Sequence, residues 1–323
     1  MKSTAVAYSN IAFIKYWGRK NEELRLPTNG SISMTLDNLY TTTTIEFSSN
    51  FKEDSFEIDG HKTNNPKLSK HLNRIRTLAK SNLKAKVVSK NNFPASTGLS
   101  SSASGFAALT IAACDALDIK ISKKEMSILS RQGSGSSCRS IYGGFVEWKD
   151  ADTSEESYAE KLHNKDHWNL IDIVCVVSHE KKLIPTSEGQ TYARTSPFFE
   201  KRLSYINSRI QDCKEIIKKK DFTKLGELIE HEALDLHCIM LSSTPALIYW
   251  STGTLKMMKL VQQWRQEGLE VYFTVNTGQN IHLICEEKNK EKLIEKIKSL
   301  NFVNNYFINN PGSSPKITQE HLF

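Results

Sequence analysis

Hydrophobic residues recur along this chain with two different spacings. Spacings of three and four positions predict helices, whereas alternation and clusters of β-branched residues predict strands. Helices are predicted at Pro66–Ser81, Ala103–Ile119, Lys123–Gln132, Pro197–Lys219, Phe222–Met240, Ala246–Glu267 and Lys288–Leu300. Strands are predicted at Tyr40–Phe47, Ser55–Asp59, Leu83–Ser89, Ile171–Val177, Val271–Val275, Ile281–Cys285 and Val303–Ile308. The chain therefore mixes helices and strands throughout, and its end resembles a βαβ unit.

A polar segment interrupts this pattern near the middle of the chain. Residues Asp150–Asp166 are mostly polar or charged and are predicted to form a loop at a domain boundary. The length of 323 residues suits two domains. We therefore expect one domain at residues 1–165 and a second at residues 166–323.

The apolar runs are too short for a bilayer. The run Phe106–Cys114 falls far below the roughly 20 residues that a membrane-spanning helix needs. The first twenty residues carry Asn10, Lys15 and Arg19 among their apolar positions, which is not typical of a signal peptide. We expect a cytoplasmic protein that does not associate with membranes.

The net charge of +7 suits an anionic partner, although a lysine-rich solvated surface would give the same balance. No basic run is interleaved with stacking aromatic residues, so nucleic acid is not expected. Six cysteines lack any CxxC pair and are interpreted as reduced thiols. The pairs His163/His167 and His231/His237 lack zinc-ligand partners in a recognised pattern, and no structural metal is expected.

Three segments carry candidate chemistry, and the first is the small-residue stretch Asn91–Gly105 (NNFPASTGLSSSASG). It leads into an apolar helix, whose N-terminal N–H groups and dipole favour a phosphate. Ser100, Ser101, Ser102 and Ser104 could add hydroxyl donors or a magnesium ligand. A simple serine cap is the structural alternative, but a cap needs only one such residue. The loop is not a Walker A motif, because the final Gly-Lys-Ser/Thr is missing.

The second segment is Gly133–Gly144 (GSGSSCRSIYGG), which places Arg139 among serines and glycines. Such a cation suits a phosphate or a carboxylate, or it is a surface arginine in a flexible turn. The third segment is Asn10–Gly18 (NIAFIKYWG), in which Lys15 lies between an apolar run and two aromatic residues. This strand could form a pocket wall, or its aromatic residues could belong to the core.

Together these segments resemble the GHMP superfamily of small-molecule kinases, and most closely its mevalonate diphosphate decarboxylase family. The matching motifs are Asn10–Arg19, Leu26–Leu36, Asn91–Ala103, Arg131–Trp148 and Arg194–Pro197. The resemblance implies an α+β, two-domain GHMP-kinase fold. Its N-terminal α/β domain would contain a left-handed βαβ unit, its C-terminal domain would be ferredoxin-like, and the site would lie between them.

The resemblance also implies a reaction in which ATP, with Mg²⁺, phosphorylates the 3-hydroxyl of mevalonate 5-diphosphate. The 3-phosphate then leaves together with carbon dioxide, giving isopentenyl diphosphate. Family members are often homodimers, so a homodimer is expected here. A kinase that stops at phosphoryl transfer and a phosphometabolite-binding pseudoenzyme are the alternatives.

The family motifs assign roles to residues of this chain. Lys15 would lie near the reacting hydroxyl, and Arg139 would hold the substrate carboxylate. The expected substrate-binding residues are Tyr16, Trp17, Lys67, Ser134, Ser136, Arg139 and Ser196. The expected ATP-binding residues are Asn92, Gly98, Ser100, Ser101, Ser102 and Ser104, with Ser102 as a candidate Mg²⁺ ligand. Lys67 replaces a family arginine, which keeps the charge but loses the bidentate fork.

One catalytic position departs from the family pattern. The aspartate that the family proposes as catalytic base is Asn276 here, in Asn276–Asn280 (NTGQN). An amide cannot take a proton at neutral pH, and loss of a general base typically costs about 10²–10⁴ in rate. Either Asn276 orients the hydroxyl while the phosphate accepts the proton, or the substrate differs, for example a 5-monophosphate or a 3,5-bisphosphate.

Overall fold

The computed structural model of this chain describes residues 1–94, 99–180 and 182–323. Its strands are β1 (Lys2–Ile14), β2 (Arg19–Asn21), β3 (Leu26–Pro27), β4 (Ser31–Ser48), β5 (Ser55–Ile58), β6 (His61–Lys62), β7 (Lys84–Asn91), β8 (Phe145–Trp148), β9 (Ala159–His163), β10 (Leu170–Val176), β11 (Tyr272–Thr274), β12 (Ile281–Glu286), β13 (Asn305–Asn309) and β14 (Lys316–Thr318). Its helices are α1 (Pro66–Ala79), α2 (Ser101–Ala116), α3 (Lys123–Gly133), α4 (Thr186–Gly189), α5 (Phe199–Lys219), α6 (Phe222–Leu241), α7 (Thr252–Gln266) and α8 (Lys290–Lys298). The predicted helices and strands are therefore confirmed in type and order.

The first domain is built on the antiparallel pair of long strands β1 and β4, which lie within an eight-stranded sheet. Strands β5 and β7 run parallel and are joined through α1, which forms a βαβ unit. Helix α1 begins at Pro66, where the Asn65 side chain accepts a hydrogen bond from the backbone N–H of Lys67. The alanine-rich helix α2 packs against β1 and β4, because small side chains let it approach the sheet closely.

The second domain is a four-stranded antiparallel sheet with strand order β11-β12-β10-β13. Along the chain, helices α5–α7 connect β10 to β11, and α8 connects β12 to β13. This β-α-β-β-α-β order is the ferredoxin-like arrangement. Strand β10 is buried along its whole length, and its one charged residue, Asp172, pairs with the ring of His282 on β12.

The structure adds strands that the sequence pattern did not predict, among them β9 and β14. Strand β9 lies inside the polar segment Asp150–Asp166, where charged residues hide its alternation and it pairs with β8. Strand β14 returns to the first sheet, with Thr4 opposite Thr318. Its partner is far away in sequence, so no local pattern could reveal it. The expected boundary at residues 165/166 falls between β9 and β10, although the final strand belongs to the first sheet.

No helix within residues 1–94, 99–180 and 182–323 is both long and apolar enough to cross a membrane.

Candidate active site

A cavity of about 460 Å³ opens between the two domains. On the first domain it is lined by the end of β1, the start of α2 and the 3-10 turn Gly135–Ile141. On the second it is lined by the segment around α4 and by the loop that follows β11. The three sequence segments that carry candidate chemistry all contribute to this lining, although they lie far apart along the chain.

The charge of the lining is one-sided. Its basic side chains are Lys15, Arg19, Arg25, Lys67, Arg139 and Lys182. No aspartate or glutamate is among the described residues that line the cavity. Arg19 forms an ion pair with Glu22, which lies outside the lining, whereas the other five cations form no ion pair with the described residues. Cations gathered in a partly buried cleft attract anions, so the cavity suits a ligand with several negative charges.

Lys15 follows β1 directly and is almost completely buried. Its Nζ donates to the carbonyl oxygen of Ala12 at 2.7 Å and to Oδ1 of Asn276 at 3.3 Å. Burial lowers the pKa of Lys15 to about 7; the Glu232 carboxylate opposes this shift, whereas the nearby guanidinium groups of Arg139 and Arg202 add to it.

Asn276 joins the two domains at the base of the cavity. Its Oδ1 accepts from Lys15, and its Nδ2 donates to Oγ of Ser100 at 3.1 Å. Its backbone carbonyl lies 3.0 Å from Nε2 of His237 and accepts a hydrogen bond from that ring. The side-chain amide is therefore held on both sides, with its donor and acceptor in fixed directions.

Arg139 lies in the 3-10 turn, where it is buried and forms part of the cavity lining. Its Nε donates to Oγ of Ser33 and its Nη2 donates to Oδ1 of Asn10, both at 3.0 Å, while Nη1 donates to Oγ of Ser31. In the described part of the chain, no carboxylate forms an ion pair with this guanidinium. Neutral oxygens thus orient a positive charge that remains available to a ligand.

A second group of cations lies at the other end of the cavity. Nζ of Lys67 donates to Oγ of Ser187 at 2.6 Å, and Nε of Arg19 donates to the Tyr16 hydroxyl at 2.9 Å. Arg25 has a φ of 51° and donates its Nε to the carbonyl of Gln132 at 3.0 Å. The pKa of Lys67 is lowered by burial and then by the charges of Arg25 and Arg19. These like charges are held together without a neutralising lining carboxylate.

The serine loop, which we define as Ser100–Ser104, includes the first turn of α2. Ser100, Ser101 and Ser102 line the cavity together with Ser134 and Ser136. The Ser134 hydroxyl donates to Oγ of Ser102 at 3.2 Å, which joins the serine loop to the 3-10 turn. The N-terminal end of a helix dipole favours an anion, so the start of α2 suits a negatively charged group near the Arg139 end of the cavity. Gly98, predicted to bind ATP, lies outside the described residues.

Four other predicted site residues are not part of the lining. Trp17 packs in the core with Phe199 and Leu236. The Ser104 hydroxyl pairs with Thr41, because it faces the sheet. Asn92 accepts from the backbone N–H of Tyr40 and donates to the carbonyl of Asn38. Ser196 pairs with Ser242. Local hydrogen bonds and packing thus hold these side chains away from the cavity, and their assigned roles remain predictions.

The structure also adds lining residues that the sequence did not single out. Ser187 bonds to Lys67, and Lys182 donates to the carbonyl of Thr277 at 2.7 Å. Burial lowers the pKa of Lys182 to about 8. Arg25 enters the cavity from the β2–β3 hairpin through its left-handed backbone conformation. Only the Pro/Thr/Ser/Gly composition of the segment around Ser187 hinted at a functional loop.

Comparisons with known proteins agree with this geometry. The profile for the diphosphomevalonate decarboxylase-like N-terminal domain matches residues 7–159, and that for the mevalonate 5-diphosphate decarboxylase C-terminal domain matches residues 172–318. The diphosphomevalonate decarboxylase of Debaryomyces hansenii is 35% identical over 315 residues, which cover 90% of this chain and 81% of the relative.

Two solved structures are similar over nearly their full length. The crystal structure of mevalonate diphosphate decarboxylase from Staphylococcus aureus has a TM-score of 0.92 and 38% identity, covering 98% of each chain. A structure described as MDDEF in complex with MVAPP, AMPPCP and magnesium also has a TM-score of 0.92 and 38% identity, covering 98% of this chain and 99% of that one. On sequence and fold together, this chain belongs to the diphosphomevalonate decarboxylase family.

Proposed function

We propose that this chain catalyses the ATP-dependent decarboxylation of mevalonate 5-diphosphate to isopentenyl diphosphate. The observation that carries the proposal is the cavity itself, in which the lining cations converge and no described lining residue is a carboxylate. The family membership supplies the reaction, and the cavity supplies a matching charge. A kinase that stops at phosphoryl transfer and a pseudoenzyme are not favoured by any feature of the comparisons.

The two ends of the cavity suit the two ends of the substrate. The group around Tyr16, Arg19, Arg25 and Lys67 would bind the 5-diphosphate, because its cations lack a lining carboxylate. Arg139 would bind the substrate carboxylate with its buried guanidinium. This orientation would place the 3-hydroxyl between the ends, near Lys15 and Asn276.

The serine loop would bind the phosphates of ATP. The N-terminal turn of α2 offers backbone N–H groups, and the hydroxyls of Ser101 and Ser102 line the same wall of the cavity. Ser102 would also offer its oxygen to Mg²⁺, which accepts few protein ligands when phosphates and waters supply the others. The bound Mg²⁺ would neutralise charge on the phosphates. The residues present thus fit both groups.

The charges of the site explain how it would promote the reaction. A tertiary hydroxide is a poor leaving group, whereas the phosphate formed at the 3-position leaves readily. Phosphoryl transfer depends mainly on positioning and on neutralisation of charge. Arg139 would hold the carboxylate in place until the C–C bond breaks.

We extend the proposal to the cell compartment, the oligomeric state and the domain boundary of the enzyme. The free thiols and the use of ATP are consistent with a cytoplasmic enzyme. We also propose that the enzyme forms a homodimer. The domains would divide at residues 165/166, with the final strand returning to the first sheet.

The direct test is a product assay. The purified protein would be incubated with ATP, Mg²⁺ and, in turn, mevalonate, its 5-phosphate, its 5-diphosphate and its 3,5-bisphosphate. We expect equal amounts of ADP and carbon dioxide from the 5-diphosphate. ADP without carbon dioxide would indicate a kinase, and binding without either product would indicate a pseudoenzyme.

Replacing Arg25 by alanine should weaken binding of the 5-diphosphate substrate. Loss of one charged hydrogen bond costs about 1.5–3 kcal/mol, so KM should rise about 10- to 100-fold while kcat changes little. Steady-state kinetics with the 5-diphosphate would measure this split.

Arg74 provides a matched control for this variant. Its Nη1 donates to the same carbonyl of Gln132, at 3.1 Å, but Arg74 does not line the cavity. The Arg74→Ala variant should therefore leave KM close to that of the unmodified protein. Equal KM increases in both variants would show that Arg25 acts by holding Gln132 in place.

A further inference from the structure

The cavity offers no carboxylate to take the proton of the 3-hydroxyl. None of the described lining residues is an aspartate or glutamate, and the sequence of residues 95–98 and 181 contains neither type. The proton must therefore pass to a phosphate, to water or to a basic nitrogen in the lining.

The two carboxylates whose charges act on Lys15, Glu232 and Asp172, are already engaged outside the lining. Glu232 accepts from the backbone N–H of Lys15 at 3.0 Å and forms buried ion pairs with Arg202 and Arg209. Asp172 accepts from the His282 ring at 2.9 Å and is fully buried in the second sheet. Neither carboxylate lines the cavity, so neither can reach a substrate hydroxyl directly.

Lys15 is the basic group in the right place. An uncharged amine has two N–H donors and one lone pair, whereas the ammonium has three donors and no lone pair. The structure supplies two acceptors for Nζ, the Ala12 carbonyl and the Asn276 amide oxygen. With both N–H groups engaged, the lone pair of the uncharged amine remains for a ligand in the cavity.

We propose that the uncharged amine of Lys15 accepts the proton of the substrate 3-hydroxyl during phosphoryl transfer, and that Asn276 positions this amine. The proposal rests on the proposed function. The 3-hydroxyl oxygen forms a bond to the γ-phosphorus, the bond from that phosphorus to the bridging oxygen breaks, and ADP leaves with the electron pair. The proton passes from the hydroxyl oxygen to Nζ, which becomes an ammonium.

The same proton has a place to go in the second half of the reaction. When the C–C bond to the carboxylate breaks, carbon dioxide leaves and the electron pair forms the alkene. The C–O bond to the 3-phosphate breaks at the same time, and the departing phosphate can take the proton from the Lys15 ammonium. Lys15 is thereby restored to its uncharged form, and no proton has to come from elsewhere.

The surroundings of Lys15 favour this uncharged form near neutral pH. Burial is the largest effect on its pKa, and the charges of Arg139 and Arg202 act in the same direction. Glu232 and, more weakly, Asp172 oppose them. His237, which donates to the Asn276 carbonyl, is held uncharged because burial lowers its pKa to about 3.

The residue at position 276 contacts Nζ of Lys15 and can therefore change the charge of this amine. A carboxylate in the place of the Asn276 amide would lie about 3 Å from Nζ and would raise the pKa of Lys15. It would also be able to accept the hydroxyl proton itself. The amide does neither. With asparagine at position 276, the uncharged amine of Lys15 is therefore needed to accept the proton, whereas with aspartate there the carboxylate could accept it and Lys15 could remain an ammonium.

The pH dependence of kcat/KM for the 5-diphosphate, which reports ionisations of the free enzyme, tests the proposal. Because the pKa of Lys15 is lowered, the active uncharged amine is lost as the pH falls below about 7. The value of kcat/KM should therefore fall about 10-fold for each pH unit below that point. In the Asn276→Asp variant the carboxylate can accept the proton, so the decline on the acid side should begin more than one pH unit lower. In the Asn276→Gln control the decline should begin at the same pH as in the native protein, even if the rate falls.

A pair of variants separates proton acceptance from charge alone. The Lys15→Arg variant keeps a cation that does not deprotonate, and it should lose ADP formation by about 10²–10⁴-fold. Adding Asn276→Asp to that variant should restore ADP formation, because the carboxylate then accepts the proton.

Two results would overturn the proposal. One is a native kcat/KM that stays constant from pH 5.5 to 8, and the other is a Lys15→Arg variant that turns over at nearly the native rate. If the native protein releases no ADP from any of the four mevalonate species, the proposed function fails instead. Turnover of the 5-diphosphate with no fall in activity at acid pH would support that function and reject only the role of Lys15.

Discussion

The Arg139→Ala variant is expected to lose carbon dioxide release almost completely while still binding ATP. Its guanidinium is buried, is oriented by Ser31, Ser33 and Asn10, and forms no carboxylate ion pair in the described part of the chain. A preorganised charge of this kind contributes several kcal/mol to transition-state stabilisation, which corresponds to at least about a 10³-fold loss. Carbon dioxide release and nucleotide affinity would be measured on the same preparation.

Arg131 provides the control for a general effect of removing a buried arginine. It belongs to the same motif and is fully buried, but it donates to the carbonyls of Leu24 and Ser154, away from the cavity. The Arg131→Met variant should lower Tm without a selective loss of carbon dioxide release. Near-normal turnover in Arg139→Ala would contradict the role given to Arg139.

The motif residues could be predicted because the chemistry requires particular residue types in short segments. Lys15, Arg139 and the serines at the start of α2 come from three such segments, and the structure brings them to one cavity. Their convergence follows from the fold, since β1, α2 and the 3-10 turn pack against one another. The amide at position 276 was also visible, because it interrupts a family motif.

Other parts of the site depend on contacts that leave no local signal. Arg25 reaches the cavity through a left-handed backbone conformation in a hairpin, which non-glycine residues rarely adopt. The hydrogen bond between Lys67 and Ser187 joins residues from different domains. Trp17 directly follows the lining residue Tyr16, yet it lies beyond the end of β1, where no strand alternation fixes its direction, and it packs in the core.

The electrostatic character of the site could not be predicted from the composition either. A net charge of +7 over 323 residues is consistent with a lysine-rich surface. The fold gathers the cations of Lys15, Arg139 and Lys67 in one cleft and places carboxylates such as Glu232 beneath it. The distribution of charge, which the fold alone determines, makes the cavity selective for anions.

A leucine at position 102 should stop turnover or raise the KM for ATP at least about 10-fold, because it would keep phosphates from the backbone N–H groups of α2. The Ser102 side chain is exposed to the cavity and lies 3.2 Å from the Ser134 hydroxyl, so a larger side chain there would fill the space between the two loops. Steady-state kinetics with ATP as the varied substrate would measure the change.

The Ser102→Ala variant distinguishes steric blocking of the phosphate site from loss of the Ser102 hydroxyl as a Mg²⁺ ligand. Alanine removes only the hydroxyl, so the backbone site for phosphate remains open. If Ser102 holds Mg²⁺, the alanine variant should need a higher Mg²⁺ concentration for half-maximal rate while its Tm stays unchanged. If the hydroxyl only completes the contact with Ser134, the Mg²⁺ requirement should not change. Unaltered ATP affinity and rate in the leucine variant would show that the serine loop caps α2 and does not bind phosphate.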